Sequence, residues 1–263
     1  MLSLRAFASV QLRWREFLFC LQTVRSWFVS RTPEVDCFGG GSGTSYLVKT
    51  IRSVNVLSRT KMCRVMLRHG SDKSYHSHNY TTVYSALFKG LRSNPLRIFE
   101  LGLGSNNIEM PYHMGVNGIP GASLRGWQEL FPYAQVYGAD IDRNILFQEN
   151  RIKTFYCDQL SQPAISELWS HPDLQRGADI IIEDGLHIFE GNTSFLEGSL
   201  EHLRPGGFYV VEDIDQGFVE EWFKQIDTVY SKRYPTYEFA FVALPTYSSV
   251  RDNNLLVIRR EVE

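Results

Sequence analysis

The stretch Leu96-Arg97-Ile98-Phe99-Glu100-Leu101-Gly102-Leu103-Gly104 decides the fold. It is an apolar run of strand length that ends on an acid and then on two glycines. Four more runs of this kind follow: Val136–Asp140, Lys153–Cys157, Ala178–Glu183 and Gly207–Glu212. Tyr237–Val242 and Leu255–Ile258 come last. Between them the sequence is helix-like over 122–131, 142–149, 161–170, 191–203 and 217–232. Strands that are apolar on both faces and alternate with helices belong in a parallel sheet covered on both sides. The last two runs leave no room for a helix between them, and Pro245 and Asp252-Asn253-Asn254 predict a hairpin-like connection. The expected fold is therefore α/β and Rossmann-like. Its sheet has seven mostly parallel strands with an antiparallel last strand, and helices cover both faces.

Upstream of this alternation the composition changes. Residues 1–70 carry eleven Lys and Arg against Glu16, Glu34 and Asp36, while the whole chain has a formal charge of -2. The overall balance gives no argument for nucleic-acid or membrane binding, but its asymmetry predicts two regions with different work. We place a basic helical extension at 1–68 and the sheet domain at 69–263. Within the extension, 1–31 is Arg-rich with Leu12, Phe17, Leu18, Leu21, Val24 and Phe28 at helical spacing. Such a helix suits packing on the domain or on a second copy in a homo-oligomer; a targeting or membrane-surface role is the alternative. About residues 39–44 the Gly-rich run reads as a linker, and 46–67 as a further helix. Cys20, Cys37, Cys63 and Cys157 lack any C-x-x-C spacing, which fits reduced thiols of a cytoplasmic protein. No apolar run reaches the roughly 18–20 residues of a membrane span.

Ligands of open α/β sheets sit at the carboxyl ends of the strands. Those ends carry chemistry here. Gly102 and Gly104 let backbone approach a ligand, Asp140 is placed for the two hydroxyls of a ribose, and Asp158 with Gln159 for an adenine amino group. A G-x-G alone is a weak signal, whereas acids ending three successive strands are harder to assign to solvated loops. A dinucleotide enzyme wants its ribose acid about 20 residues past the glycines. Asp140 lies farther on, Ser105 stands where a third glycine often sits, and 105–120 is an insertion; this argues against NAD.

With Leu203-Arg204-Pro205-Gly206-Gly207, these strand ends resemble the signatures of class I S-adenosylmethionine-dependent methyltransferases. The resemblance sharpens over Gly70-Ser71-Asp72-Lys73, His78-Asn79-Tyr80, Gly121–Trp127, Tyr137–Asp142, Asp184-Gly185-Leu186-His187 and Val211-Glu212-Asp213. Together these are similar to the macrolide-sugar O-methyltransferases of the mycinamicin and demethylmacrocin types. The resemblance covers about residues 69–215. It implies a donor site of Glu100, Gly102, Gly104, Ser123, Asp140, Asp158, Gln159 and Glu183. It further implies Asp184, Glu212 and Asp213 as ligands of Mg²⁺ or Mn²⁺, and His187 as general base toward a sugar hydroxyl of a small-molecule acceptor. Glu183 and Leu186 depart from the Asp and Ser more usual in that family, and Glu183 then reads as a spare ligand or substrate contact.

The residues support that chemistry independently. Carboxylates converging on one spot repel one another unless a cation is present, and an oxygen ligand set suits Mg²⁺ or Mn²⁺. An imidazole titrating near neutrality suits proton removal. Taken singly, each of these residues reads equally well as a structural group, since Glu212-Asp213-Ile214-Asp215 precedes a helix; the four together on adjacent strands favour the site. Two other functions stay open: an Fe(II)- or nucleotide-dependent oxidoreductase or hydroxylase, and a non-catalytic S-adenosylmethionine-binding subunit. Tyr75, His76, His78 and Tyr80 form a further aromatic cluster; Met110, Tyr112, His113 and Met114 read as a lid or as a mobile loop. Trp127 and Leu130 read as core, and His69, His171 and His202 receive no role.

Overall fold

The computed structural model describes residues 36–39, 45–244 and 252–262. The expected helix over 1–31, linker residues 40–44, Cys20 and Pro245 lie outside the described residues. Among those described, nine strands form one sheet. They are β1 (Asp36–Gly39), β2 (Arg97–Leu101), β3 (Gln135–Asp140), β4 (Gln148–Glu149), β5 (Ile152–Tyr156), β6 (Ala178–Glu183), β7 (Leu203–Val211), β8 (Tyr237–Ala243) and β9 (Asn254–Arg260). Their spatial order is β1-β8-β9-β7-β6-β2-β3-β5-β4. The strands β5, β3, β2, β6 and β7 run parallel, and β9 is antiparallel to both of its neighbours, β7 and β8. The seven expected strands are all present, and β1 and β4 are short antiparallel additions at the two edges.

Helices cover both faces. On one lie α1 (Tyr46–Arg52), α2 (Lys61–His69), α3 (Tyr80–Leu87) and α4 (Ala122–Leu130); on the other lie α5 (Gln162–Ser170), α6 (Phe189–Ser199) and α7 (Val219–Gln225). Successive side chains of a strand point to opposite faces. Accordingly Ile98, Val136, Ile180, Ile182 and Val210 join the first core, while Phe99, Leu101, Ile181, Tyr209 and Val211 join the second. Trp127 and Leu130 are core, as expected. Cys63 and Cys157 are buried free thiols. Among the described residues no helix is long and apolar enough to cross a membrane.

Three local expectations change. The single helix over 46–67 is two, because polar side chains break it: Asn55 Oδ1 accepts from the Leu57 amide, and Thr60 Oγ1 caps α2 at the Cys63 amide, both at 3.0 Å. Between them the two helices bury Leu47, Val48, Ile51, Val65 and Met66 in the first core. Residues 142–149 are not a helix. Asp142 takes the Asn144 amide into a short 3₁₀ turn, Arg143–Ile145, after which β4 joins the sheet. Finally, α7 continues through a π-helical turn, Ile226–Tyr230, into Ser231–Arg233.

Candidate active site

The carboxyl ends of β2, β3, β5, β6 and β7 open into one cleft of about 710 Å³. Its floor on the β2 side is backbone. Gly102 has φ 88°, and a Cβ there would run into the Asp184 carbonyl oxygen; Gly104 has φ 74°, and a Cβ would strike Met114 Sδ. Both turns therefore need glycine. The loop they form is held by β3. The Leu103 amide donates to Asp140 Oδ2 at 2.7 Å, and the Asp142 amide to Oδ1 at 2.8 Å. Each oxygen keeps a further acceptor position, and Asp140 lines the cleft. Burial raises its pKa above the usual carboxylate value. Ser105, the residue in place of a third glycine, donates to Asp142 Oδ2 at 2.7 Å.

At the next strand ends, Asp158 and Gln159 also line the cleft. Gln159 braces the loop after β6: its Oε1 accepts from the Leu186 amide at 2.6 Å, and its Nε2 donates to Glu183 Oε1 at 3.1 Å. Glu183 is fully buried below that loop and accepts from Asn192 Nδ2 as well. Burial pushes its pKa up to about 7, against the pull of those hydrogen bonds.

A buried lysine ties together the acids on the remaining side. Lys73, 1% exposed, places Nζ 2.5 Å from Asp184 Oδ2, 2.5 Å from Glu212 Oε2 and 3.5 Å from Glu100 Oε1. Burial alone lowers a lysine pKa, but the three carboxylates outweigh it and raise the value well above normal. Glu212 and Glu100 have further partners. Glu212 Oε1 accepts from the Tyr84 hydroxyl. Glu100 Oε1 accepts from Ser123 Oγ and Oε2 from Trp127 Nε1, each at 2.5 Å. Glu212 is 1% exposed and does not line the cleft.

Asp184, His187 and Asp213 do line it, and one ligand atom from each lies within 4.8 Å of the others. His187 Nε2 is 3.4 Å from Asp184 Oδ1 and 3.4 Å from Asp213 Oδ2. Burial disfavours the imidazolium, yet the two carboxylates win and push its pKa up to about 9. Burial also drives Asp184 upward, but Lys73 and His187 hold it well below the usual carboxylate range. Asp213 is pushed up to about 6, first by burial and then by Asp184. Its backbone is at φ 52°, a region costly for a residue other than glycine. Tyr80 Oη donates to Asp213 Oδ1 at 2.5 Å, and His78 Nδ1 lies 3.2 Å from the same oxygen. From the insertion, the Tyr112 ring centroid comes within 5.0 Å of that of His187, with Met110, His113 and Met114 also on the cleft wall.

The structure thus gathers Glu100, Gly102, Gly104, Ser123, Asp140, Asp158, Gln159, Asp184, His187 and Asp213 around one cleft, with Glu183 and Glu212 buried behind it. Sequence reasoning missed Lys73 and Tyr84. The available signal was electrostatic: acids ending three neighbouring strands need a cation, and Lys73 closes the Gly70-Ser71-Asp72-Lys73 motif. The carboxylates of Asp184 and Asp213, which both line the cleft, suit an oxygen-preferring divalent cation, with the His187 imidazole beside them.

No protein-family model matches the chain. It is 30% identical over 203 residues to 8-demethyl-8-(2-methoxy-alpha-L-rhamnosyl)-tetracenomycin-C 3'-O-methyltransferase of Streptomyces olivaceus, a match covering 75% of this chain and 48% of that one. It is 34% identical over 152 residues to the tetracenomycin-C 2'-O-methyltransferase of the same organism, covering 58% and 37%. With demethylmacrocin O-methyltransferase of Streptomyces fradiae the identity is 34% over 52% of this chain and 32% of the relative. The chain thus spans less than half the length of these curated relatives. Among solved structures, MycE methyltransferase from the mycinamycin biosynthetic pathway, in complex with Mg, SAH and mycinamycin VI, superposes with TM-score 0.58 at 22% identity. That match covers 84% of this chain and 60% of MycE. The chain has the class I methyltransferase fold and resembles, in sequence, the macrolide-sugar O-methyltransferases.

Proposed function

We propose that this protein transfers the methyl group of S-adenosylmethionine to a hydroxyl of a sugar on a glycosylated small molecule, with help from a divalent cation. One observation carries the reading: Asp184, His187 and Asp213 converge in the same cleft as the glycine loop and Asp140. The named relatives, which methylate sugar hydroxyls of tetracenomycin and macrolide compounds, support the acceptor class.

S-adenosylmethionine supplies an electrophilic methyl on a sulfonium. Asp140 would accept hydrogen bonds from the ribose hydroxyls, Gly102 and Gly104 would let the donor lie against backbone, and Asp158 and Gln159 would hold its base. Asp184 and Asp213 would hold Mg²⁺ or Mn²⁺, which supplies stabilisation of the charge developing on the acceptor oxygen. With the carboxylates of Asp184 and Asp213 neutralised by that cation, the His187 pKa would fall from about 9, and its imidazole would take the hydroxyl proton as the oxygen bonds to the methyl carbon and the carbon–sulfur bond breaks. The products are the methyl ether and S-adenosylhomocysteine. Tyr80 and His78 orient Asp213.

The test is incubation of the full chain with S-adenosylmethionine and rhamnosyl tetracenomycin or mycinamycin VI, with Mg²⁺ or with EDTA, followed by mass spectrometry. A mass gain of one methylene that needs Mg²⁺ and is lost in His187→Ala agrees with the proposal. Full transfer by His187→Ala removes the base assignment; transfer in EDTA removes the cation.

A further inference from the structure

Lys73 has three ammonium protons, and it meets three carboxylates at the ends of three strands: Glu100 on β2, Asp184 after β6 and Glu212 after β7. These strands are neighbours in the order β7-β6-β2. One side chain from the segment before α3 therefore ties the carboxyl edge of the sheet at its centre. Buried carboxylates without a counter-charge are costly, and a bound divalent cation is one way to hold them. Here part of that compensation is covalently built into the chain.

The division of oxygens shows what Lys73 does. Asp184 gives Oδ2 to Lys73 and keeps Oδ1 for the cleft, 3.4 Å from His187 Nε2. Glu212 spends one oxygen on Lys73 and the other on Tyr84. Lys73 therefore presents Asp184 to the cleft and withholds Glu212 from it. We propose that Lys73 is a positioning residue and internal counter-cation: it holds Asp184 and Glu212 in place with no divalent ion bound, and it keeps the affinity for that ion low. This rests on the reading of Asp184 and Asp213 as cation ligands. Against the resemblance to a family with three acidic ligands, it leaves Glu212 outside the ligand set.

The experiment uses the full chain without donor or acceptor. Mn²⁺ binding is followed by electron paramagnetic resonance of the free ion, and thermal unfolding is measured in EDTA and in Mn²⁺. Lys73→Met should bind Mn²⁺ at least tenfold more tightly than the wild type and gain more thermal stability from it. Equal or weaker binding by Lys73→Met overturns the proposal. If Lys73→Met folds only with Mn²⁺, the ion has taken over the work of the ammonium, as proposed. If it folds in neither condition, the double variant Lys73→Met/Glu212→Gln, which removes one charge of each sign, decides. Binding within threefold of wild type is then expected. A protein that still fails to fold, or binds tenfold more weakly because Glu212 is a ligand, overturns it. A wild type that binds no Mn²⁺ while Lys73→Met does would support the role of Lys73 and sink the metal-assisted reaction.

Discussion

Tyr80 donates its hydroxyl to Asp213 Oδ1 at 2.5 Å, and the Asp213 amide donates back to that hydroxyl at 3.3 Å. Tyr80 belongs to α3 and Asp213 to the loop after β7, so the pair closes the cleft across the sheet edge. The double contact holds an aspartate whose backbone is at φ 52°. Tyr80→Phe should cost about 1.5–3 kcal/mol of unfolding free energy, the range for a hydrogen bond to a charged group. Mn²⁺ affinity should fall as the carboxylate loosens. Chemical denaturation and calorimetry check both, and no change in either would show that the hydroxyl does not hold Asp213.

Gly102→Ala is expected to be among the most damaging single-methyl additions. Its φ of 88° disfavours an L side chain, and the new Cβ would meet the Asp184 carbonyl oxygen. Strain and overpacking together should cost about 3 kcal/mol or more. Donor binding should be lost as the loop lifts. A variant that unfolds at the wild-type temperature and binds S-adenosylmethionine normally contradicts the close approach seen here.

Asp140→Ala removes the carboxylate that braces Leu103 and faces the proposed ribose. Affinity for S-adenosylhomocysteine should drop more than tenfold by calorimetry, about 1.4 kcal/mol. Retained affinity would move the ribose elsewhere in the cleft.

Cys157 gives a pH-dependent test away from the acid cluster. Burial, with Asp158 nearby, pushes its thiol from 9.0 up to about 12. The folded state therefore favours the neutral thiol. That preference leaves stability untouched below pH 9 and takes stability away as pH rises from 9 towards 12. At pH 8 in the native protein Cys157 should resist maleimide, and it should react once denaturant exposes it. Rapid labelling of the native protein, located by peptide mass spectrometry, would show that this strand end opens.

The parallel sheet was legible because β2, β3, β5, β6 and β7 are short apolar runs set between helices, a pattern made by burial on both faces. The edge strand β4 was not, since Gln148 and Glu149 carry no apolar signal and join only through their pairing with β5. Asp140, Asp184 and Asp213 could be placed at the cleft because strand ends share one edge. That Lys73 stands among Glu100, Asp184 and Glu212 could not, because the contact crosses up to 139 residues of sequence. The break between α1 and α2 is marked by Asn55 and Thr60, whose side chains accept from the Leu57 and Cys63 amides.

The placement of β9 has a consequence for assembly. Asn254–Arg260 does not lie at a margin but slots between β7 and β8, with Tyr209 against Ile258 on one side and Phe239 against Ile258 on the other. During synthesis the ribosome delivers this wedge after the other eight described strands. Until then β7 has no partner on that flank, and β8 and β1 have no link to the rest of the sheet. Completion of the hydrogen-bonded ladder is thus a late, long-range event of the kind that slows folding. Deleting these seven residues would split the sheet instead of trimming it.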